Sequence, residues 1–228
     1  VNLSRRSTQA EWMETQAVTP ADFARCLGDL ATVNRLTLAY RPTLRWLARR
    51  LRRGEAFSLL DVGSGEGDML RRIARLAARR GCPATLSGVD LDPSSALAAR
   101  AKTPETMRIS YHTGDVFGFV PGPAPDFIVS SLFTHHLTDA QVVAFLAWMQ
   151  AHARRGWFVN DLHRHAVAYH GFRALAAVSG WHRFVRHDGP LSIARAFRPA
   201  EWRALLEQAG VRGTVRRVAP FRLCVESA

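Results

Sequence analysis

Apolar residues recur at helical spacing through the first 53 positions: Phe23, Leu27 and Leu30, then Leu36, Leu44, Trp46, Leu47 and Leu51. They predict an N-terminal helical cap, residues 1–54. Arg49, Arg50, Arg52 and Arg53 suit its solvated, carbonyl-rich end, and Gly54 suits the stop. From Phe57 the period changes. Short apolar runs predict strands at 57–62, 84–89, 107–111, 126–132 and 157–161, with helices between them at 69–80, 94–101 and 139–153. Such alternation predicts an α/β, doubly wound, mostly parallel sheet covered on both faces. After Asp161 a long segment interrupts the pattern to about residue 198, read as a helical insertion. A helix at 199–208 then stops at Gly210. Two last strands, 214–218 and 221–225, are separated only by Ala219 and Pro220, and so short a connection permits only an antiparallel pair. The α/β domain thus runs from 55 to 228, with the insertion at about 162–198.

Composition narrows the class. With 228 residues, 47% apolar and 22% charged, the chain can bury a core without covalent staples, and disorder is excluded. Cys26, Cys82 and Cys224 are odd in number, distant and without CxxC spacing. They predict no disulfide framework and no zinc knuckle, and no metal site is expected. No 18-residue apolar run exists and Val1 to Glu14 holds no signal-peptide core, so a cytoplasmic protein without a membrane span is expected. The net charge of +12 raises the question of nucleic acid. Only Lys102 is a lysine, however, and the arginines spread from Arg5 to Arg222. That is a bias of the whole chain, and it disfavours a dedicated nucleic-acid surface.

The sharpest local signal is Leu59-Leu60-Asp61-Val62-Gly63-Ser64-Gly65-Glu66-Gly67-Asp68, a strand running through a glycine loop into a helix. A dinucleotide site needs GxGxxG to seat a pyrophosphate on the helix N-terminus, whereas this loop is GxGxG. An acid two positions before the first glycine suits a cationic ammonium better than phosphates. Asp90 ends the second strand, where a carboxylate can accept both hydroxyls of a ribose, and Asp115 follows the third, where an acceptor can meet an adenine amino group.

Together and in this order, these residues resemble the seven-stranded, Rossmann-like (class I) S-adenosylmethionine-dependent methyltransferases, over roughly residues 57–161 and more loosely to the C-terminus. The resemblance implies a sheet order of 3-2-1-4-5-7-6 with the last strand antiparallel. It implies S-adenosyl-L-methionine as cofactor and S-adenosyl-L-homocysteine as product. The loop at Asp61, Gly63, Ser64, Gly65 and Gly67 would hold the methionine part, Asp90 the ribose, and Leu91, Asp115 and Val116 the adenine, with Ser131 also at the cofactor.

The fourth strand ends in Ser130-Ser131-Leu132-Phe133-Thr134-His135-His136-Leu137. The Asn/Asp-Pro-Pro-aromatic motif of base amino-methylating enzymes is missing there, and the run is similar to small-molecule and quinone-pathway members. Positions 157–202 carry eight of the 21 aromatic residues and five of the nine histidines, which suggests a substrate cover. Imidazole titrates near neutrality, so a histidine suits the role of base toward a phenol. His136 and His163 are the candidate bases. His135, Phe133, His165, Tyr169 and Phe172 are candidate substrate contacts, with His170 and His182 as weaker ones. Asp161 would orient a base or cap a helix, Arg195 and Arg198 would neutralise an acidic substrate, and Arg41 would reach a cofactor carboxylate. The expected activity is methylation of a small aromatic or polyketide-like metabolite at a phenolic oxygen, by a monomer or homodimer. The alternatives are carbon methylation of a quinone precursor, RNA methylation, and cofactor binding without catalysis.

Overall fold

The computed structural model describes residues 2–16 and 19–228; for residues 20, 21, 23 and 24 only the backbone is described, so the Phe23 side chain lies outside the described residues. Seven strands form one sheet: β1 Phe57–Val62, β2 Ala84–Asp90, β3 Ile109–Thr113, β4 Phe127–Ser131, β5 Gly156–Leu162, β6 Gly213–Val218 and β7 Arg222–Ser227. Their order is β3-β2-β1-β4-β5-β7-β6. β1 pairs in parallel with β2 and β4, and β7 runs antiparallel to both β5 and β6. This is the order and the reversal that the sequence implied.

The helices are α1 Trp12–Thr15, α2 Pro20–Leu36, α3 Arg41–Arg50, α4 Asp68–Arg80, α5 Pro93–Lys102, α6 Asp139–His152, α7 Ala166–Val178, α8 Arg183–Arg195 and α9 Pro199–Gln208. Local chemistry explains their ends. α4 stops at Gly81, left-handed at φ +67°, just after Arg79 and Arg80. α6 opens on a capping box in which Thr138 accepts from the amide of Gln141 and the Gln141 side chain accepts from that of Thr138.

Each sheet face has its own core. On one side α3 and α4 bring Trp46, Leu47, Leu70 and Ile73 onto Leu59, Phe127 and Phe158; on the other α6 and α9 cover Leu60, Ile128, Trp157 and Val159. Trp46 stacks on Phe158 at 5.0 Å, and burying a side chain of this kind stabilises the fold by roughly 1.5–3 kcal/mol. α2 belongs to neither layer. Its Cys26 and Val33 pack on Phe184 and Val185 of α8, so the N-terminal unit bridges the sheet and the insertion, which is the helical pair α7 and α8.

Several boundaries differ from the sequence reading, three of them for clear local reasons. Residues 2–10 form no helix, because this stretch runs as a strap pinned by backbone and arginine bonds to distant elements, among them Ser7 N donating to Ala194 O at 3.0 Å. α3 ends at Arg50 instead of Gly54: Leu51 turns extended and is buried, and Gly54 serves a turn at φ +77°. β3 starts at Ile109 because a 3₁₀ turn at Glu105–Met107 and a left-handed Arg108 precede it. In the arginine cluster, Arg50 lies over Trp46 and pairs with Glu226 at 3.0 Å, whereas Arg49, Arg52 and Arg53 are exposed. Among the described residues no helix is long and apolar enough to cross a membrane.

Candidate active site

The glycine loop joins β1 to α4 at the carboxyl edge of the sheet. Gly63, Gly65 and Gly67 all have positive φ, at +68°, +51° and +73°. A Cβ on Gly63 would stand 2.8 Å from the Phe133 ring, and one on Gly67 would run into the Tyr111 hydroxyl. Only glycine satisfies both demands. The amide of Gly65 donates to Asp90 Oδ2 at 2.8 Å and that of Asp92 to Asp90 Oδ1 at 3.1 Å. Asp115 Oδ1 accepts from Phe117 N at 3.1 Å. Both acids therefore shape their own turns and still have free lone pairs.

Beside the loop lies a cavity of about 320 Å³. Asp90, Leu91, Asp115 and Val116 line it from β2 and β3, and Phe133 and His136 from the segment after β4. Gly63 reaches its wall, whereas Asp61, Ser64, Gly65, Gly67 and Ser131 do not. Asp61 is buried behind the loop, and its Oδ1 has no hydrogen-bond partner among the described residues. Burial, with Asp68 and Asp90 nearby, pushes its carboxyl well above the usual range. Ser131 Oγ sits 3.3 Å from Thr43 Oγ1 of α3. Tyr40, at the start of α3, donates to Asp68, so the cap closes over this end of the sheet.

Across the cavity the polar groups come from four separate segments. β4 leaves the sheet through Leu132 at φ +58° into a 3₁₀ turn, Thr134–His136. Asp161 at the end of β5 organises that turn. It accepts from Thr134 Oγ1 at 2.5 Å, His135 N at 2.9 Å, His135 Nδ1 at 2.7 Å and Leu162 N at 2.7 Å. Burial would raise the Asp161 carboxyl, but the charge and hydrogen bonds of His135 and the Thr134 hydroxyl prevail and hold it well below the usual range. His136 bonds through Nδ1 to Glu14 Oε1 at 2.5 Å. Arg195 Nη1 donates to both Glu14 oxygens at 2.9 and 2.8 Å, and its Nε and Nη2 to the carbonyls of His135 and His136. Burial opposes ionisation of Glu14 too, yet His136 and Arg195 hold its carboxyl at about 2. Glu11, at the N-cap of α1, is buried, accepts from Ser192 Oγ at 2.7 Å, and has its Oε1 3.9 Å from His135 Nε2. Burial raises the Glu11 carboxyl above its ordinary value.

The strap is firmly placed. Arg6 Nε donates to Arg195 O at 2.7 Å and Nη2 to Leu137 O at 2.9 Å, while its guanidinium lies over the Phe197 ring at 3.6 Å. The amides of Trp12 and Met13 donate to the Asp188 carboxylate at 2.9 and 3.1 Å, and Trp12 stacks on His187.

The candidate residues separate accordingly. His136 and Phe133 stand on the cavity wall, with His135 buried behind His136 and its ring 4.2 Å away. His163 lies off that wall, in a bridge to Phe197. Burial, aided by Arg217, His165, Arg198 and Arg164, lowers its imidazole to about 4. His165 caps α7 and stacks on Phe221, Tyr169 packs with Ile193 and Ala194, and Phe172 stacks on Trp181. His170 and Arg41 are exposed, and His182 caps α8. Arg195 is taken up by Glu14, and Arg198 donates to Leu3 O. Sequence reasoning missed Glu11, Glu14 and Gln141. The two glutamates carry a local signal only as the capping box of α1, which says nothing of what they meet 120 residues away.

Residues 59–156 match the family described as a methyltransferase domain. The ubiquinone biosynthesis O-methyltransferase of Paramagnetospirillum magneticum is 30% identical over 173 residues; the match spans 72% of this chain and 62% of that relative. Among solved structures, a SAM-dependent methyltransferase from Aquifex aeolicus is similar with a TM-score of 0.63 at 16% identity, over 92% of this chain and 98% of the other. An O-methyltransferase family 2 protein from Planctomyces limnophilus, in complex with apigenin, gives 0.60 at 17% identity, over 94% and 63%.

Proposed function

From residues 59–156 being a methyltransferase domain on the class I, seven-stranded fold, we propose that this chain transfers a methyl group from S-adenosylmethionine to a hydroxyl of a small aromatic acceptor, releasing S-adenosylhomocysteine. One observation carries this reading: a single cavity has Asp90 and Asp115 on one wall and Phe133 and His136 on the other. The residues fit the cofactor. Asp61 Oδ1 is a buried acceptor in need of a cation, as an ammonium would supply. Asp90 has lone pairs to spare for ribose hydroxyls, and Leu91, 72% exposed beside the cavity, offers an apolar face to a purine. Asp115 and Val116 address the purine edge.

When bound, the cofactor supplies a methyl group activated by a sulfonium. The chain's own residues do the rest. Phe133 excludes water and positions an aromatic acceptor, and such orientation accounts for much of the rate in a displacement of this type. His136 faces the acceptor hydroxyl, whose proton must leave as oxygen bonds carbon. His135, backed by Asp161, packs its tilted ring against His136 and holds it in place. The ubiquinone-pathway relative and the apigenin-bound neighbour support a phenolic oxygen as acceptor.

The test joins calorimetry with product detection. The wild type binds S-adenosylmethionine and forms S-adenosylhomocysteine with members of a phenol panel, while Asp90→Ala loses most of that affinity. Unchanged affinity in Asp90→Ala removes the ribose role. No binding by the wild type overturns the proposal.

A further inference from the structure

Glu11, His135 and His136 present one ligand atom each within 4.8 Å of one another, two of the three side chains being buried. Three features set this cluster apart from an ordinary ion pair. The Nδ1 atom of each imidazole is already bonded to a carboxylate, His135 to Asp161 and His136 to Glu14, which leaves Nε2 as the coordinating atom. A carboxylate behind a histidine is the usual support of a metal ligand, because it fixes the tautomer and raises the basicity of the other nitrogen. Second, His135 Nε2 makes no hydrogen bond among the described residues, although His135 is only 3% exposed. It faces Glu11 Oε1 at 3.9 Å, too far for a hydrogen bond but close to the separation of about 3.3 Å between two ligands that share a tetrahedral ion at about 2.0–2.1 Å. Third, His136 also lines the cavity, so the fourth position of such an ion opens toward the acceptor.

We propose that Glu11, His135 and His136 bind one divalent transition-metal ion of the zinc class, with the acceptor hydroxyl as its fourth ligand. Two imidazoles and one carboxylate suit zinc and disfavour magnesium, which takes oxygen ligands. This deepens the methyl-transfer reading and rests on it for the role of the ion. A phenol with an ordinary pKa of about 10 is mostly protonated at neutral pH, and coordination ionises it as a metal ionises water. The balance is simple. The hydroxyl proton leaves to solvent as the oxygen binds the metal; the oxygen lone pair then bonds the methyl carbon while the carbon–sulfur electron pair returns to sulfur. The neutral ether is a poorer ligand than the phenolate and departs.

Cobalt(II) is the probe. The full-length protein, stripped with a chelator and dialysed, is titrated with Co²⁺ and followed by its visible ligand-field bands, with elemental analysis after Zn²⁺ reloading. The expected result is one equivalent bound, no stoichiometric binding in Glu11→Gln or His136→Ala, and affinity reduced roughly 10- to 100-fold in Glu14→Gln, which keeps all three ligands and weakens the carboxylate support of His136 together with the bonds from Arg195 and the Glu11 amide. Glu14 lies at the edge of the site, so that last variant tests the proposal even if the others fail to fold by circular dichroism. A wild type that takes up neither ion, or a Glu14→Gln protein that binds as tightly as the wild type, overturns the metal site. Because binding of S-adenosylmethionine is measured separately, either result leaves the methyl-transfer reading standing, with His136 as the proton acceptor.

Discussion

The two walls of the cavity are built in different ways. The β2–β3 wall and the glycine loop behind it draw on residues 61–116; Asp90 and Asp115 sit at or just after the end of their own strands and are bonded to backbone within a short turn, apart from the bond that Gly65 of the glycine loop gives Asp90. The opposite wall collects side chains from the N-terminal strap, the turn after β4, the end of β5 and α8. Its bonds join residues up to 189 positions apart. One wall is a product of local chain geometry, and the other exists only once the whole molecule has packed. The opposite wall can therefore vary without disturbing the glycine loop, but its charges are bonded to one another and depend on one another.

That dependence sets the largest expected effect. Asp161→Ala strands two donors of His135 and the Thr134 hydroxyl in the interior. Removing one partner of a buried pair typically costs about 3–5 kcal/mol. Asp115→Ala, across the cavity, removes one exposed turn bond and costs about 1 kcal/mol or less. Urea denaturation of both variants measures the contrast, and equal losses would break it. Turnover should vanish in Asp161→Ala, because the turn that carries His136 loses its anchor.

The local wall is not uniformly tolerant, and Gly67→Ala marks its limit. The new methyl would sit on left-handed backbone and meet the Tyr111 hydroxyl, which Thr103 holds at 2.9 Å. Strain and overpacking together predict a loss of roughly 2–3 kcal/mol and weaker binding of S-adenosylmethionine in calorimetry. Gly65→Ala has open space around its methyl and meets only the backbone term, so it should lose about half as much. If the two variants were equally stable, contact with Tyr111 would have no part in fixing the loop.

The sequence made the first wall legible and left the second dark for the same reason. Alternation of apolar runs places Asp61, Asp90 and Asp115 at the strand ends with no knowledge of the rest of the chain; the short 219–220 link made the last pair antiparallel, and the full order came with the family resemblance that these motifs carry. Helical periodicity likewise located α4, α6 and α9 within a residue or two. Glu14 and Arg195, in contrast, look like ordinary solvent-facing charges until the strap lies across α8. Asp161 read equally well as a cap or an orienting group, and only its contacts with the β4 turn decide. Histidines were visible as a crowd; the roles of His165 and His182 as helix caps and of Tyr169 as packing needed tertiary contacts.

His163 gives an effect that appears only as the pH falls, and it separates the crowd further. Its imidazole is held at about 4 in the folded protein by burial and by the arginines at 217, 198 and 164, with His165 also nearby, against about 6.5 in an unfolded chain. As pH falls below 6.5 the unfolded chain takes up a proton that the native site refuses, so the stability that His163 supports is complete above pH 6.5 and is lost progressively down to pH 4. The loss at pH 4 is at most about 3 kcal/mol, reduced by the solvent that reaches the ring. Glu14 and Asp161 act in a lower window, because their carboxyls stay ionised until the pH falls below the ordinary carboxylate range. Urea midpoints of the wild type and His163→Gln between pH 7 and pH 4 measure the difference. The wild type should lose stability across this range more steeply than the variant, while S-adenosylmethionine affinity at pH 7 stays the same in both, because His163 stands off the cavity wall. Parallel curves would move the acid sensitivity to other groups, and a fall in cofactor affinity would bring His163 back to the site.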